Sequence, residues 1–202
     1  MREPAHMEIP SAPKLAHAHD ESASRGALPQ PTHARWFHVM FNTFGTWLRG
    51  DARGFRDHDH RIHTSGDYHS PPPAGEHRAL REWCRDAMHK PPVRLTPEQQ
   101  RIALRALLIR LRAQHVEVIA LAVMPDHVHM LARLGSEATK VVGRAKAASS
   151  HALRRDIPGA VWGRRALLKP IRDRAHHGRV FGYIVGHARE GAVVWTFRDP
   201  IP

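Results

Sequence analysis

Cysteine, tyrosine and acidic residues are scarce in this chain of 202 residues. Cys84 is its only cysteine, which excludes a disulfide framework and a cysteine-ligated zinc site and is typical of a protein in a reducing cytoplasm. The 19 acidic residues are outnumbered by 31 lysines and arginines, and the formal net charge is +12. This excess predicts a polyanionic partner, nucleic acid before an anionic membrane, although a basic surface that only faces solvent would give the same count.

Long apolar segments are also missing from the sequence. No apolar run approaches the roughly 20 residues that a membrane-spanning helix needs. The N-terminal segment lacks the apolar core of a secretory signal. We therefore expect a cytoplasmic protein without a membrane span, associated with the nucleoid if its partner is DNA.

Composition divides the chain into a tail and one domain. Residues 1–32 are rich in Pro, Ala, His and Ser without helical or strand periodicity, which predicts a disordered tail. Residues 33–202 contain the apolar patterns and are numerous enough to bury one core. Within them, residues 44–75 are rich in Gly, Asp, His and Pro, which predicts a long loop insertion that is functional or mobile.

The order of the predicted elements is typical of an α+β domain with an antiparallel sheet and helices packed on it. Trp36–Thr43 is aromatic and β-branched enough for a first strand. Thr96 begins a helix with a capping-box pattern, and Ser136 is placed to cap a later one. The further elements are a short helix, a hairpin, a helix, one or two short strands and a last helix, over residues 76–90, 116–134, 136–157, 161–171 and 174–190.

The most informative stretch is Met124–Leu131, the start of the second strand of the hairpin, because it contains two histidines separated by one residue. Side chains alternate along a strand, so His127 and His129 share one face, opposite an apolar face that includes Val128 and Met130. Two neighbouring imidazoles can hold one metal ion. Two solvent-facing histidines would explain the pattern equally well.

Other histidine pairs of the chain have the same spacing but do not lie in an apolar strand pattern. The chain has 18 histidines, so pairs of this kind arise by chance. Further pairs and loop histidines lie in polar segments that offer no rigid strand beneath them, which favours surface residues; they are His17, His19, His58, His60, His63 and His69.

A second pair is Tyr183 and His187, four residues apart in the last predicted helix. This spacing places both side chains on one face of a helix, one turn apart. Taken singly, Tyr183 reads as a half-buried aromatic and His187 as a surface residue. Their combination with a paired-histidine strand in a basic chain favours a common site.

With these motifs the chain resembles the HUH endonuclease transposases with a single tyrosine, which include the REP-associated tyrosine transposases. Their strand motif "MPNHVHLL" is similar to MPDHVHML at Met124–Leu131, and their helix motif "YI-x-x-NPV-x-x-G" is similar to YIVGHAREG at Tyr183–Gly191. FNTFGTWLRGDARGF at Phe41–Phe55 resembles "TTYGTWLPGDERGW" of one branch, and PPVRLTPEQQ and VWGR also have counterparts there. The resemblance covers about residues 33–197. It implies a ferredoxin-like fold with the catalytic tyrosine on a C-terminal helix.

The resemblance also implies roles for individual residues. His127, His129 and His187 would bind a divalent metal, and Tyr183 would attack a phosphorus atom of single-stranded or hairpin DNA to give a 5′-phosphotyrosine and a free 3′-hydroxyl. Such a protein acts in DNA transposition as a monomer or a homodimer. The candidates for phosphate contacts, on a basic helix, are Arg144, Lys146, Arg154 and Arg155.

Three departures from the family motifs bear on these roles. Asp126 replaces the usual Asn before the first histidine, and Ala188 and Arg189 replace the usual Pro-Val. His187 stands where the family has Asn or Gln as a metal ligand. Because imidazole favours Mn²⁺ over Mg²⁺ relative to an oxygen ligand, we expect Mn²⁺ to serve better.

Two other functions remain open from the sequence. The altered Tyr183–Gly191 segment is also compatible with a former transposase that only binds DNA. A histidine site that hydrolyses its substrate without a covalent step is the third hypothesis, and it makes no use of Tyr183.

Overall fold

The computed structural model describes residues 34–56, 62–63 and 75–201. The predicted tail, much of the predicted loop insertion, and His17, His19, His58, His60 and His69 lie outside the described residues. The strands and helices in chain order are β1 (Arg35–Asn42), β2 (Phe55–Arg56), β3 (Ile62–His63), α1 (Arg78–Asp86), α2 (Pro97–Ala113), β4 (Glu117–Val123), β5 (His127–Leu134), α3 (Ala138–Ala152), β6 (Leu167–Pro170), α4 (Arg174–Gly186) and β7 (Val193–Thr196).

The main sheet has five strands in the order β6-β1-β5-β4-β7, and every neighbouring pair is antiparallel. The run β1-α2-β4-β5-α3-β6 follows the β-α-β-β-α-β connection of a ferredoxin-like fold. The predicted α+β class and ferredoxin-like fold are therefore confirmed. To this unit the chain adds α4 and an edge strand, β7.

The two faces of the sheet are covered by different helices. Alternate residues of β1, such as Val39 and Phe41, point to one face and form the larger core with α2 and α3. On the other face, Leu131 of β5 packs in a smaller cluster with Val180 and Ile184 of α4. The helix α4 therefore covers the face of β5 that carries His127 and His129.

The helix α2 begins as the sequence predicts. The Thr96 hydroxyl accepts a hydrogen bond from the Gln99 backbone N–H at 3.3 Å, and the Gln99 side chain accepts one from the Thr96 N–H at 3.0 Å. This reciprocal pair satisfies two backbone donors that a helix start otherwise leaves without partners.

The helix α3 differs from its prediction at the cap, and its buried stripe holds two polar residues. Its N-cap is Glu137 rather than Ser136, and within the described residues Glu137 makes no side-chain capping bond. The buried stripe includes Lys146 and Ser149, which an apolar pattern does not select. Ser149 tolerates burial because its hydroxyl accepts a hydrogen bond from the Trp162 ring nitrogen at 2.7 Å.

The C-terminal elements are shorter than predicted. The α-helix ends at Gly186 and continues as a single 3₁₀ turn over His187–Glu190, which Gly191 ends in the left-handed conformation at φ 82°. The predicted strands before it reduce to β6 and one isolated bridge between Thr43 and Trp162. The last apolar segment pairs with β4 as an edge strand.

The two helix starts allow a matched test of the capping difference. We expect Thr96→Ala to lower the free energy of unfolding by ~1 kcal/mol, because the capping bonds are lost. Ser136→Ala should change it by less than ~0.5 kcal/mol, since Ser136 is exposed and does not cap α3. Urea unfolding followed by circular dichroism measures both values, and an equal loss in the two variants would contradict the assignment of the caps.

Candidate active site

Three elements bring the candidate residues together on the face of the sheet that α4 covers. β5 supplies His127 and His129, and α4 with the 3₁₀ turn after it supplies Tyr183 and His187. β1 adds His38, which the sequence analysis does not single out. All five side chains belong to one chain.

The three predicted metal ligands form a compact group. One ring nitrogen from each of His127, His129 and His187 lies within 4.8 Å of the others. His129 and His187 are nearly parallel, with ring centroids 4.8 Å apart, and the His127 centroid is 4.9 Å from that of His129. His129 and His187 are buried and His127 is half-buried. Such a group can hold one metal ion.

Each of the three rings has a partner at Nδ1. His127 lies with Nδ1 2.6 Å from a carboxylate oxygen of Asp126, and His187 with Nδ1 3.1 Å from a carboxylate oxygen of Glu190. Nδ1 of His129 is 2.9 Å from Nε2 of His38. A ring whose Nδ1–H donates to such a partner keeps a lone pair on Nε2 for a metal.

Burial keeps the rings of His129 and His38 neutral. It lowers the pKa of His129 to about 2, with the neighbouring His127 contributing next, and lowers the pKa of His38 to about 4. Nε2 of His187 is buried and has no hydrogen-bond partner among the described residues. A buried polar atom of this kind is costly unless something binds to it, and a metal ion would meet that need.

Tyr183 lies beside this group. Its ring centroid is 4.6 Å from that of His187, 5.2 Å from that of His129 and 5.9 Å from that of His38, in edge-to-face contacts. The side chain is 52% exposed, in contrast to the buried rings beneath it. A large substrate can therefore reach the phenol while the imidazoles remain in the interior.

The predicted basic residues lie on α3 (Arg144, Lys146) and in the turn directly after it (Arg154, Arg155), because the helix ends at Ala152, before the predicted end. α3 packs with α2 on the larger core, so the structure does not bring this helix to the face that carries Tyr183. Arg144, Arg154 and Arg155 are exposed there. One lysine lies on the face of the sheet that carries Tyr183. It is Lys169 of β6, which stands opposite His38 in the β1–β6 register.

Lys146 differs from the other three basic candidates. It is buried, and its ammonium group donates hydrogen bonds to the carbonyl oxygens of Gly163, Arg164 and Arg165 at 2.7, 3.3 and 3.3 Å. Burial lowers the pKa of Lys146 to about 8. In this structure its amine holds the segment before β6 against α3.

Sequence reasoning missed His38, Glu190 and Lys169. His38 and Lys169 stand in predicted strands, but only the register of the sheet places His38 beside His129 and Lys169 opposite His38. Glu190 carries a local signal, since it follows His187 by three residues and so lies on the same side of a helical turn.

Comparison with known proteins assigns a family to this part of the molecule. The family model described as "Transposase IS200 like" matches residues 97–184, from the start of α2 to the residue after Tyr183 in α4. Residues 97–184, somewhat less than half of the chain, are thus similar to the IS200-like transposases. The predicted resemblance is confirmed for this range. His187, where the chain departs from the family motif, lies just beyond it.

The other comparisons of this chain add no further family assignment. No curated protein matches it significantly. Three solved chains match, among them a REP-associated tyrosine transposase bound to a REP hairpin, with 12% identity, a TM-score of 0.44, and coverage of 82% of this chain and 74% of that one. None of the described helices has the length and apolar character needed to cross a bilayer.

The buried position of Lys146 predicts that its substitution lowers the stability of the fold. We expect Lys146→Met to lower the free energy of unfolding by ~1–3 kcal/mol, because three carbonyl groups lose their donor. Arg144→Met, on the exposed side of the same helix, should change it by less than ~0.5 kcal/mol. Thermal unfolding measures both. An unchanged stability for Lys146→Met with weakened DNA binding would instead make Lys146 a DNA contact.

Proposed function

We propose that this transposase is a metal-dependent single-stranded DNA endonuclease and strand transferase with Tyr183 as its nucleophile. The observation that carries the proposal is a half-exposed phenol in edge contact with two of three clustered imidazoles in the same chain. Family membership supports transposition as the reaction. The net charge of +12 supports DNA as the substrate.

The ligands in this proposal are His127, His129 and His187, each through Nε2. The Nδ1 atoms are already engaged, and Nε2 of His187 lacks a partner among the described residues. A bound divalent ion supplies Lewis-acid stabilisation of the negative charge that develops on the scissile phosphate. Three neutral nitrogen ligands favour Mn²⁺ over Mg²⁺.

Tyr183 carries out the covalent step. A phenol with an ordinary pKa near 10 is a weak nucleophile at neutral pH and gains from transfer of its proton as attack begins. Its oxygen forms a bond to phosphorus while the bond from phosphorus to the 3′ oxygen breaks, and that oxygen takes up a proton. The products are a 5′-phosphotyrosine and a 3′-hydroxyl. One phosphoester bond replaces another, so a second 3′-hydroxyl can reverse the step and join a new strand.

The position of the basic groups suggests how the DNA lies. Lys169 pairs with His38 on the tyrosine side of the sheet, so we assign it to phosphates next to the scissile one. The exposed Arg144, Arg154 and Arg155 remain proposed contacts, for a more distant part of a hairpin substrate, because α3 lies on the opposite face. We propose that Tyr183 acts with the histidines of its own chain, in a monomer or in each half of a homodimer.

A DNA-binding protein that has lost its cleavage activity is the alternative. The replacement of the usual residues at His187, Ala188 and Arg189 favours it. Against it, His187 joins the other two histidines and offers a buried, unpartnered nitrogen within the described residues.

Adduct formation tests the proposed function directly. Protein with Mn²⁺ and a pool of hairpin-bearing single-stranded oligonucleotides should form an SDS-resistant adduct that keeps a 3′ label and releases a 5′ label, because Tyr183 bonds to the 5′ phosphate of the downstream piece. Tyr183→Phe should abolish it, since the nucleophilic oxygen is removed. Tyr68→Phe, at the chain's other tyrosine, is the control and should leave the adduct unchanged.

Two results of this experiment would contradict the proposal in different ways. Tight DNA binding without any adduct across Mn²⁺, Mg²⁺, Co²⁺ and Zn²⁺ would indicate the DNA-binding alternative. Cleavage that survives Tyr183→Phe but is lost in His127→Ala would indicate a hydrolytic metal site without a covalent step.

The metal preference can be tested at His187. We expect His187→Asn, which restores the residue usual in the family motif, to lower the ratio of adduct formed with Mn²⁺ to that formed with Mg²⁺ by about tenfold, or ~1.4 kcal/mol. The reason is that an amide oxygen replaces an imidazole nitrogen. His151→Asn, at an exposed histidine of α3, serves as the control. An unchanged ratio in His187→Asn would argue against His187 as a ligand.

A further inference from the structure

We propose that His38 is a positioning residue that accepts the Nδ1–H of His129 and thereby presents Nε2 of His129 to the metal. This inference rests on the proposed function, because it gives His38 a role only at a site that binds metal. It concerns a residue of β1, far along the chain from the paired-histidine strand and the tyrosine helix, and outside the matched range.

The register of the sheet places the two rings together. In the β1–β5 pairing, Met40 lies opposite His129 and His38 lies opposite Leu131, so His38 and His129 are diagonal neighbours on one face. Nε2 of His38 is 2.9 Å from Nδ1 of His129, and both side chains are buried. The backbone of two central strands therefore fixes the contact.

The direction of the hydrogen bond follows from what His129 must do. A neutral imidazole carries one proton, so a His129 that binds metal through Nε2 carries that proton on Nδ1. Nε2 of His38 is then the acceptor, and the proton of His38 is on its own Nδ1. With the proton of His38 on Nε2 instead, Nδ1 of His129 would accept and Nε2 of His129 would be blocked.

The chemical type of each partner matches the burial of the partner itself. His127 and His187 have carboxylate partners, Asp126 and Glu190, whose side chains keep 27% and 63% of their surface exposed. His129 is held from β1 by a partner that is only 9% exposed. A carboxylate at that depth would carry a large desolvation cost, which a neutral imidazole avoids.

Three variants at two positions separate positioning from general packing. His38→Phe keeps an aromatic ring but removes the acceptor, and His38→Gln supplies an amide oxygen. His177→Phe is the matched control. The ring of His177 makes an edge-to-face contact with another aromatic side chain of β1, that of Trp36, on the same side of the sheet. Mn²⁺ binding to the full chain without DNA is measured by isothermal titration calorimetry.

We expect His38→Phe to weaken Mn²⁺ binding by about 10–100-fold, His38→Gln to recover most of that loss, and His177→Phe to stay within about twofold of the unsubstituted protein. Long-range ¹⁵N–¹H NMR of the metal-free protein should show His129 protonated at Nδ1 and not at Nε2. This second readout needs no metal and no variant, so it decides the matter even if His38→Phe fails to fold.

The outcomes distinguish this inference from the proposed function. Unchanged Mn²⁺ binding in His38→Phe, with binding lost in His127→Ala, would overturn the role of His38 and leave the metal site standing. Absence of Mn²⁺ binding in the unsubstituted protein would overturn the metal site. A His129 protonated at Nε2 in the NMR spectrum would overturn the tautomer on which the role of His38 depends.

Discussion

The packing of α4 on the β4–β5 hairpin holds the rest of the site in place. Ile184 and Val180 press on Leu131, and the neighbouring positions of β4 on this face are alanines, which let the helix approach closely. Complete burial of a side chain such as Ile184 contributes roughly 1.5–3 kcal/mol. Positions 180, 184 and 187 lie on one stripe of the helical path, so His187 enters the interior, whereas Tyr183 lies at the edge of the stripe and stays half exposed. The contact that docks the helix is thus the one that aligns the phenol with the imidazoles.

The chemical character of the group follows from its burial. Neutral imidazoles are the ligands that such a position accepts most readily, since carboxylates there would carry a large desolvation cost. If the proposed site holds a divalent ion, its three neutral ligands would add no charge of their own, and Asp126 and Glu190, outside the ligand set, would offset part of the charge of the ion. An ion that keeps its charge attracts phosphate strongly. The same choice of ligands therefore favours both burial and binding of an anionic backbone.

The periodicity of single strands and helices predicted those features of the site that depend on one element alone. Alternation in β5 placed His127 and His129 on one face, and the four-residue spacing placed Tyr183 near His187. Strand register is not local, and so no local sequence pattern predicts the contact between His38 and His129, which are 91 residues apart. Lys146 shows the same limit: its place on a basic helix suggested a phosphate contact, while its carbonyl partners lie in a segment whose path only the folded chain defines. The packing of α4 over the histidine face is likewise a tertiary contact, which no local pattern predicts.

The 3₁₀ turn after α4 bears on two departures from the family motif, His187 and Ala188. A ligand such as Asn presents its oxygen without needing a partner, whereas an imidazole must have its ring orientation and tautomer fixed before it can ligate well. The turn over His187–Glu190 brings the Glu190 carboxylate to Nδ1 of His187, three residues before it. A proline after the ligand would remove a backbone donor and restrict this turn, and here Ala188 stands in its place. Glu190 and the 3₁₀ turn thus supply the partner that an imidazole ligand at position 187 would need, and this favours the proposed metal site over a protein that only binds DNA.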